Sequence, residues 1–434
     1  MLARRGDAGL VLPQFKESET QRAESSGRRN VQTFADTALA LSPMPSTTSL
    51  LLEDSRPPES STRPERTLPD RLPTRGEVRA AIPDHCFERS TTRSFAWLGF
   101  SLAIVAALVA GAAALLPLSW AWAPVWVLYS VATGTAATGL WVIAHECGHG
   151  AFSRHDWVQN TVGFVLHSAL LVPYFSWQRS HAVHHAKTNH LDEGETHVPK
   201  RITHANGRTA MRLRARLGRR GYTLVILVST LLFGWPLYLL AGATAGPARR
   251  RANHFWPAAP FRSELFPDRW VARVWMSSLG VLAAIALLIT AGATFGWGLV
   301  AALYVGPYLV TNAWLVLYTW LQHTDSDVPH FGGDDWSWML GAFQTIDRPY
   351  PAVIDRLHHH IGTTHVLHHI DHRVPHYHAR EATEALKAAF PEWYRFNPTP
   401  IARATWQVAG DCVAVDLDAD HSHNGWTFNA AERS

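Results

Sequence analysis

Cysteine is scarce. Three in 434 residues, Cys86, Cys147 and Cys412, cannot build a disulfide framework and fit a reducing compartment. Charge of one sign is equally sparse: the formal net charge of +4 is too small to point to nucleic acid. The chain also lacks any charged residue over several stretches between Trp97 and His323, each about as long as the 20 residues that cross roughly 30 Å of hydrocarbon. An ordinary soluble globule is thereby excluded. The mean hydropathy of −0.06 averages polar ends with an apolar middle. Histidine alone is in excess, with 25 residues.

Residues 1–75 are rich in Ser, Thr, Pro, Arg and Glu and read as a disordered tail. Eight acidic residues against seven basic ones in 1–60 argue against a transit peptide, and no apolar stretch follows Arg4-Arg5 to make a secretory signal. Residues 76–400 read as one membrane-bound domain, and 401–434 as a tail without pattern. Within the domain the uncharged runs 97–116 and 121–144 make one helical hairpin, and 274–291 and 294–318 a second. The run 161–175 is too short to span and contains Pro173; 222–241 is interrupted by Gly234-Trp235-Pro236. Both are expected in the membrane interface. Eight Lys/Arg in Lys200–Arg220, and Arg249-Arg250-Arg251, place the polar segments on the cytosolic side, while the hairpin turns carry no charge. The expected fold is all-α: an integral membrane protein with four transmembrane helices in two hairpins and a cytosolic helical cap.

The histidines fall into clusters at the membrane ends. His145 and His149 lie one helical turn apart where the second span meets the cytosol. His181, His184 and His185, and again His365, His368 and His369, read His-x-x-His-His, so that on a helix each triplet faces one way. Two identical triplets 184 positions apart are hard to ascribe to chance. Eight imidazoles exceed the needs of one ion and suit two. His323, at the end of the fourth span as His145 is at the end of the second, is a ninth candidate, with an interfacial histidine satisfied by a carboxylate as its other reading. Imidazole alone does not choose the metal. A site at the mouth of a membrane bundle points to a lipid substrate, and unactivated C–H bonds resist acid–base and nucleophilic catalysis. Two Fe ions with O2 as co-substrate are the natural reading. His358-His359-His360 point in three directions and read as structural. His190, His197, His372, His376 and His378 stay unassigned.

These boxes, in this order and at these separations, resemble the membrane-bound fatty-acid desaturases over most of residues 68–400. The resemblance extends to Ala80–Phe87, Gly234–Leu239, Trp320–Asp325, Gln344–Arg348 and Pro375–Thr383, and is closest to the Δ12 (omega-6) oleate desaturases of the endoplasmic reticulum. It implies a di-iron centre held by the eight box histidines with His323 as the ninth ligand. It also implies electrons from cytochrome b5 and its NADH-dependent reductase, and an oleoyl chain, phospholipid-linked or CoA-linked, converted to linoleoyl. The implied location is the endoplasmic reticulum membrane with a cytosolic active site, the plastid envelope being the alternative. Relatives of known structure carry an Asn four residues before the ninth histidine, where this chain has Thr319. Omega-3 or bifunctional Δ12/Δ15 desaturation, and diverged hydroxylase, epoxygenase or acetylenase chemistry, stand as alternatives, as does another oxygen-dependent lipid enzyme such as a sterol hydroxylase. A more distant one is an intramembrane zinc protease, because His145-Glu146-x-x-His149 satisfies H-E-x-x-H with Glu146 as base. A transporter would need ionisable residues inside the spans, and the four expected spans contain no Asp, Glu, Lys or Arg.

Overall fold

The computed structural model describes residues 69, 71–249, 251–417 and 425–428. The disordered tail expected over 1–75 therefore lies almost wholly outside the described residues, and its last positions belong to the folded part. Thr74 and Glu77 close a capping box at the start of α1 (Arg75–Ala81), and Trp393 Nε1 donates to Arg71 O at 3.2 Å.

Two long helical pairs follow the expected hairpins: α2 (Thr91–Leu115) with α3 (Ala123–His149), then, after α4 (Asp156–Ala169), α5 (Tyr174–Ala186) and α6 (Ala205–Ala241), α7 (Asp268–Phe295) with α8 (Trp297–Leu321). Their apolar composition makes them helices that need no polar face, and side chains such as Leu102, Val127, Leu279 and Leu287 point outward, as lipid-facing residues do. The helix α3 is the exception, buried along its second half from Thr133 to Cys147. It packs on α8 through Gly134, where an added Cβ would lie 2.5 Å from Pro307 O, and Thr311 Oγ1 donates to Gly134 O at 3.0 Å. The helix runs on past its apolar part to His149, and Gly150 ends it in the left-handed region (φ 76°).

Two expectations change, and a third element proves longer than expected. Residues 161–175 are not one element: α4 stops at Ala169, Leu171 takes φ 55°, and Pro173 caps α5. Proline has no N–H for an interior helical bond but suits a helix start. The run 222–241 is the second part of α6, kinked at Gly218 (φ 66°, ψ 168°). By length and composition five helices among the described residues, α6 included, are long and apolar enough to cross a membrane. The two ends of that apolar run are tied close together in the chain. Thr244 O accepts from Val198 N at 3.0 Å. Tyr222 packs on Val413, and Val415 N donates to Lys200 O at 2.7 Å. Lastly, α9 (Trp338–Phe343), α10 (Ala352–Leu357), α11 (His365–Ile370) and α12 (His376–Ala389) are followed, in the described part of the tail expected to lack pattern, by α13 (Ile401–Asp411) and a small antiparallel pair, β1 (Val415–Leu417) and β2 (Trp426–Phe428). The fold is thus mostly helical rather than all-α.

Candidate metal centre

All nine histidines singled out in the sequence converge at one end of the bundle. The end of α3 presents His145 and His149, α5 presents His181, His184 and His185, and α11 presents His365, His368 and His369. His323 follows α8 by two residues. They form two neighbouring sets. In the first, one ring nitrogen each of His145, His149, His181, His185 and His368 lie within 4.8 Å of one another; in the second, those of His184, His323 and His369 do so. His365 joins the second set, its Nε2 3.0 Å from His323 Nε2.

The spacing of the ring nitrogens suits a shared cation better than a hydrogen-bonded cluster. His145 Nε2 lies 2.9 Å from His181 Nε2 and 3.2 Å from His149 Nε2. His181 Nε2 lies 3.2 Å from His185 Nε2, and His184 Nε2 3.2 Å from His323 Nε2. A neutral imidazole has one proton, so nitrogens that each face two others cannot all be satisfied by N–H donation. Nitrogens sharing one cation at about 2.0–2.1 Å stand roughly 3–3.5 Å apart, which matches. The buried Nε2 atoms of His368 and His369 have no hydrogen-bond partner. Burial first, and the neighbouring rings second, hold His181, His185, His323, His368 and His369 well below the usual imidazole range. His184 and His365 are lowered to about 3 by the same causes. Rings kept neutral at physiological pH have lone pairs to give. The donor set therefore fits two cations, one with five nitrogens and one with four.

A layer of polar partners aims these rings. Thr188 Oγ1 donates to His184 O (2.7 Å) and so accepts from His369 Nδ1–H (3.0 Å), which turns the His369 Nε2 lone pair inward. Asp347, buried, caps α11: Oδ1 accepts from His365 N at 2.6 Å and Val366 N at 3.0 Å, and Oδ2 from Tyr394 OH at 2.6 Å. Trp177 stacks on His181, centroids 4.6 Å apart. Replacing Thr188 by Val, which keeps shape and removes the acceptor, is expected to weaken metal binding about 10–100-fold; metal titration of the folded protein followed by elemental analysis measures it.

Glu146 does not serve the site as a base. Oε2 accepts from His376 Nδ1–H at 2.6 Å and Oε1 from His376 N at 2.5 Å, so the carboxylate caps α12. The H-E-x-x-H reading fails on this point, because the geometry needs a free carboxylate beside metal-bound water. The run His358–His360 lies outside both sets: His358 Nε2–H donates to Thr135 O and its Nδ1 accepts from Tyr318 OH, both at 2.7 Å. His360 Nδ1 lies 2.6 Å from Asp355, and His359 Nε2 3.0 Å from Ser101 Oγ. His372 sits beside His149, ring centroids 4.7 Å apart. His197 Nε2 lies 2.8 Å from Thr319 Oγ1. Sequence reasoning assigned no role to Thr188, Asp347 or Arg348. The last two stand in the Gln344–Arg348 motif, which was the available signal.

Comparison with known proteins agrees with this architecture. The profile of the family described as fatty acid desaturase matches residues 120–400. The Delta(12)-acyl-lipid-desaturase of Punica granatum is 39% identical over 375 residues, 85% of this chain and 93% of the relative. The Delta(12) fatty acid desaturase of Calendula officinalis is 40% identical over 368 residues, 83% of this chain and 93% of the relative. The oleoyl-12-hydroxylase of Ricinus communis is 39% identical over 350 residues, 80% of this chain and 87% of the relative.

Proposed function

The chain belongs to the fatty acid desaturase family, and from that premise we propose that it inserts a cis double bond at Δ12 of an oleoyl chain to give linoleoyl. The observation that carries the reading is the convergence of nine imidazoles into two adjacent sets, together with about 40% identity to Δ12 desaturases over most of the chain. His145, His149, His181, His185 and His368 would hold one iron, and His184, His323, His365 and His369 the other. Bound iron supplies, with O2, the oxidising power that unactivated C–H bonds demand. Two electrons and two protons complete the balance, so that O2 leaves as two waters. Cytochrome b5 with its NADH-dependent reductase is the electron donor that the resemblance implies.

The protein's own part is positioning. A small cavity beside the first set is lined mostly by polar side chains, among them His145, His149, His368 and His372, with Val142, Ile361, Leu367 and Val374 between them. The reacting methylene groups offer no polar handle, so the depth to which the acyl chain reaches toward the histidine centre selects the bond. Burial of the centre beneath α9–α12 keeps bulk water away from the oxidant.

The spans are α2, α3, α7 and α8. The apolar part of α6 lies along the membrane surface, supported by the attachment of its two ends to residues 198 and 200 through Thr244 and the Val413–Val415 segment. Four spans return the cap, with its Lys200–Arg220 charges, to the cytosolic face of the endoplasmic reticulum.

Expression in a yeast without polyunsaturated fatty acids tests the reaction. Linoleate is expected to appear among the fatty-acid methyl esters. A hydroxylated product would assign the chemistry of the Ricinus relative instead, and an unchanged profile despite good expression would overturn both.

A further inference from the structure

Outside the histidine centre the described residues hold one further group of mixed metal ligands. It joins the 3₁₀ turn Asp84–Phe87, just before α2, to the first turns of α12. His85 and Cys86 come from the turn, and His378 and Glu381, one helical turn apart, from α12. One donor atom from each lies within 4.8 Å of the other three. His85 Nε2 is 3.0 Å from Glu381 Oε2 and 3.7 Å from Cys86 Sγ, and the His85 and His378 rings meet edge to face at 5.5 Å. Cys86 is fully buried, whereas His85 and Glu381 reach solvent. A cation can thus enter from the surface and find the thiol at the back.

We propose that His85, Cys86, His378 and Glu381 form a separate site for a single zinc-class cation, which ties the segment before the first span to α12. The donor set decides the metal class. One sulfur, two imidazoles and one carboxylate make the four-ligand, mixed N/S/O set that Zn(II) takes tetrahedrally, and the thiol disfavours Mg(II) and Ca(II). The ligand charges, one from the thiolate and one from the carboxylate, neutralise a divalent ion. On binding, the Cys86 S–H bond is replaced by S–metal and its proton passes to solvent. Burial otherwise pushes that thiol up to about 11, so the cation and not the surroundings provides the thiolate. Arg93 Nη1 lies 3.3 Å from His378 Nε2, and Arg93 Cζ sits over the Tyr377 ring, 4.2 Å from its centroid. It is an exposed side chain that gives up the first contact and keeps the second when His378 turns to a cation.

The location gives the site a purpose. His378 is two residues from His376, whose backbone and ring hold Glu146 beside the ligand His145. Locking α12 to the pre-membrane turn steadies that anchor without touching substrate.

The test uses the full chain, purified and iron-loaded in lipid nanodiscs. Elemental analysis is expected to find one zinc per chain beyond the iron. Glu381→Gln and His378→Phe, both at the surface, should weaken that zinc at least about 100-fold with iron content unchanged. Cobalt(II) in place of zinc should show a thiolate-to-metal absorption band that Cys86→Ser removes and Cys147→Ser leaves. Absence of the extra zinc, equal zinc in the surface variants, or a thiolate band that survives Cys86→Ser would each overturn the proposal. Iron content is read in the same samples, so failure of the histidine centre is seen separately.

Discussion

Alanine in place of His184 or of His368 abolishes linoleate formation while the protein still inserts in the membrane. The two positions sample one set each: His184 Nε2 faces His323, and His368 stands with His145, His149, His181 and His185. Loss of an outer partner alone costs about 10–100-fold in metal affinity, and loss of a direct ligand costs more. The measurement pairs fatty-acid analysis with iron per chain in the purified variant. Iron should fall in both variants. Full iron and full activity in either one would remove that histidine from the ligand set.

Arg348→Ala is expected to have the largest effect on folding. The side chain is completely buried. Nε donates to Leu321 O at 2.8 Å, and Nη2 to Thr324 O at 3.2 Å and Asp325 Oδ2 at 2.8 Å. Those acceptors bracket His323, so one guanidinium holds the turn that delivers the ninth imidazole. Truncation takes the counter-charge from the buried Asp325 carboxylate, which keeps only its neutral partners Asn397 and Ser326, and removes a donor from two carbonyls, a loss of about 3–5 kcal/mol for a broken buried pair. Lysine has one nitrogen where three contacts are made, and should not restore the protein. The effect also carries a pH signature. Burial opposes the charged form of Asp325, but Arg348 and its other partners override it and hold the carboxyl below the usual range. The stability this contributes is present at neutral pH and is lost as pH falls through the lowered value. The gap between the natural protein and Arg348→Ala is therefore widest near neutrality and narrows in acid. Unfolding followed across that range in detergent checks it; a gap that widens in acid would contradict the pairing.

The comparison between chain and fold is clearest at Glu146. Its spacing from two histidines satisfied a zinc-protease motif on paper, and only its bonds to His376, 230 positions away, showed it to be a cap. Asp347 and Thr188 behave alike: each is an ordinary polar residue locally, made consequential by Tyr394 or His369 arriving from elsewhere. At 161–175 the error was local. The apolar run suggests one element, but Pro173 near its end starts a new helix.

What the sequence determined by itself was everything set by short-range periodicity and by the cost of charge in hydrocarbon: the two uncharged hairpins, their membrane character, and the facing of each histidine triplet along its own helix. These follow from spacings of three and four residues, and from uninterrupted apolar runs, which need no knowledge of a partner. Tertiary structure decided how nine rings from four segments divide into sets of five and four, which carboxylates serve as caps, and how α6 and the C-terminal segment attach. Those outcomes depend on which surfaces meet across hundreds of residues, where many pairings satisfy the same local pattern and only close packing and the satisfaction of buried polar groups select one.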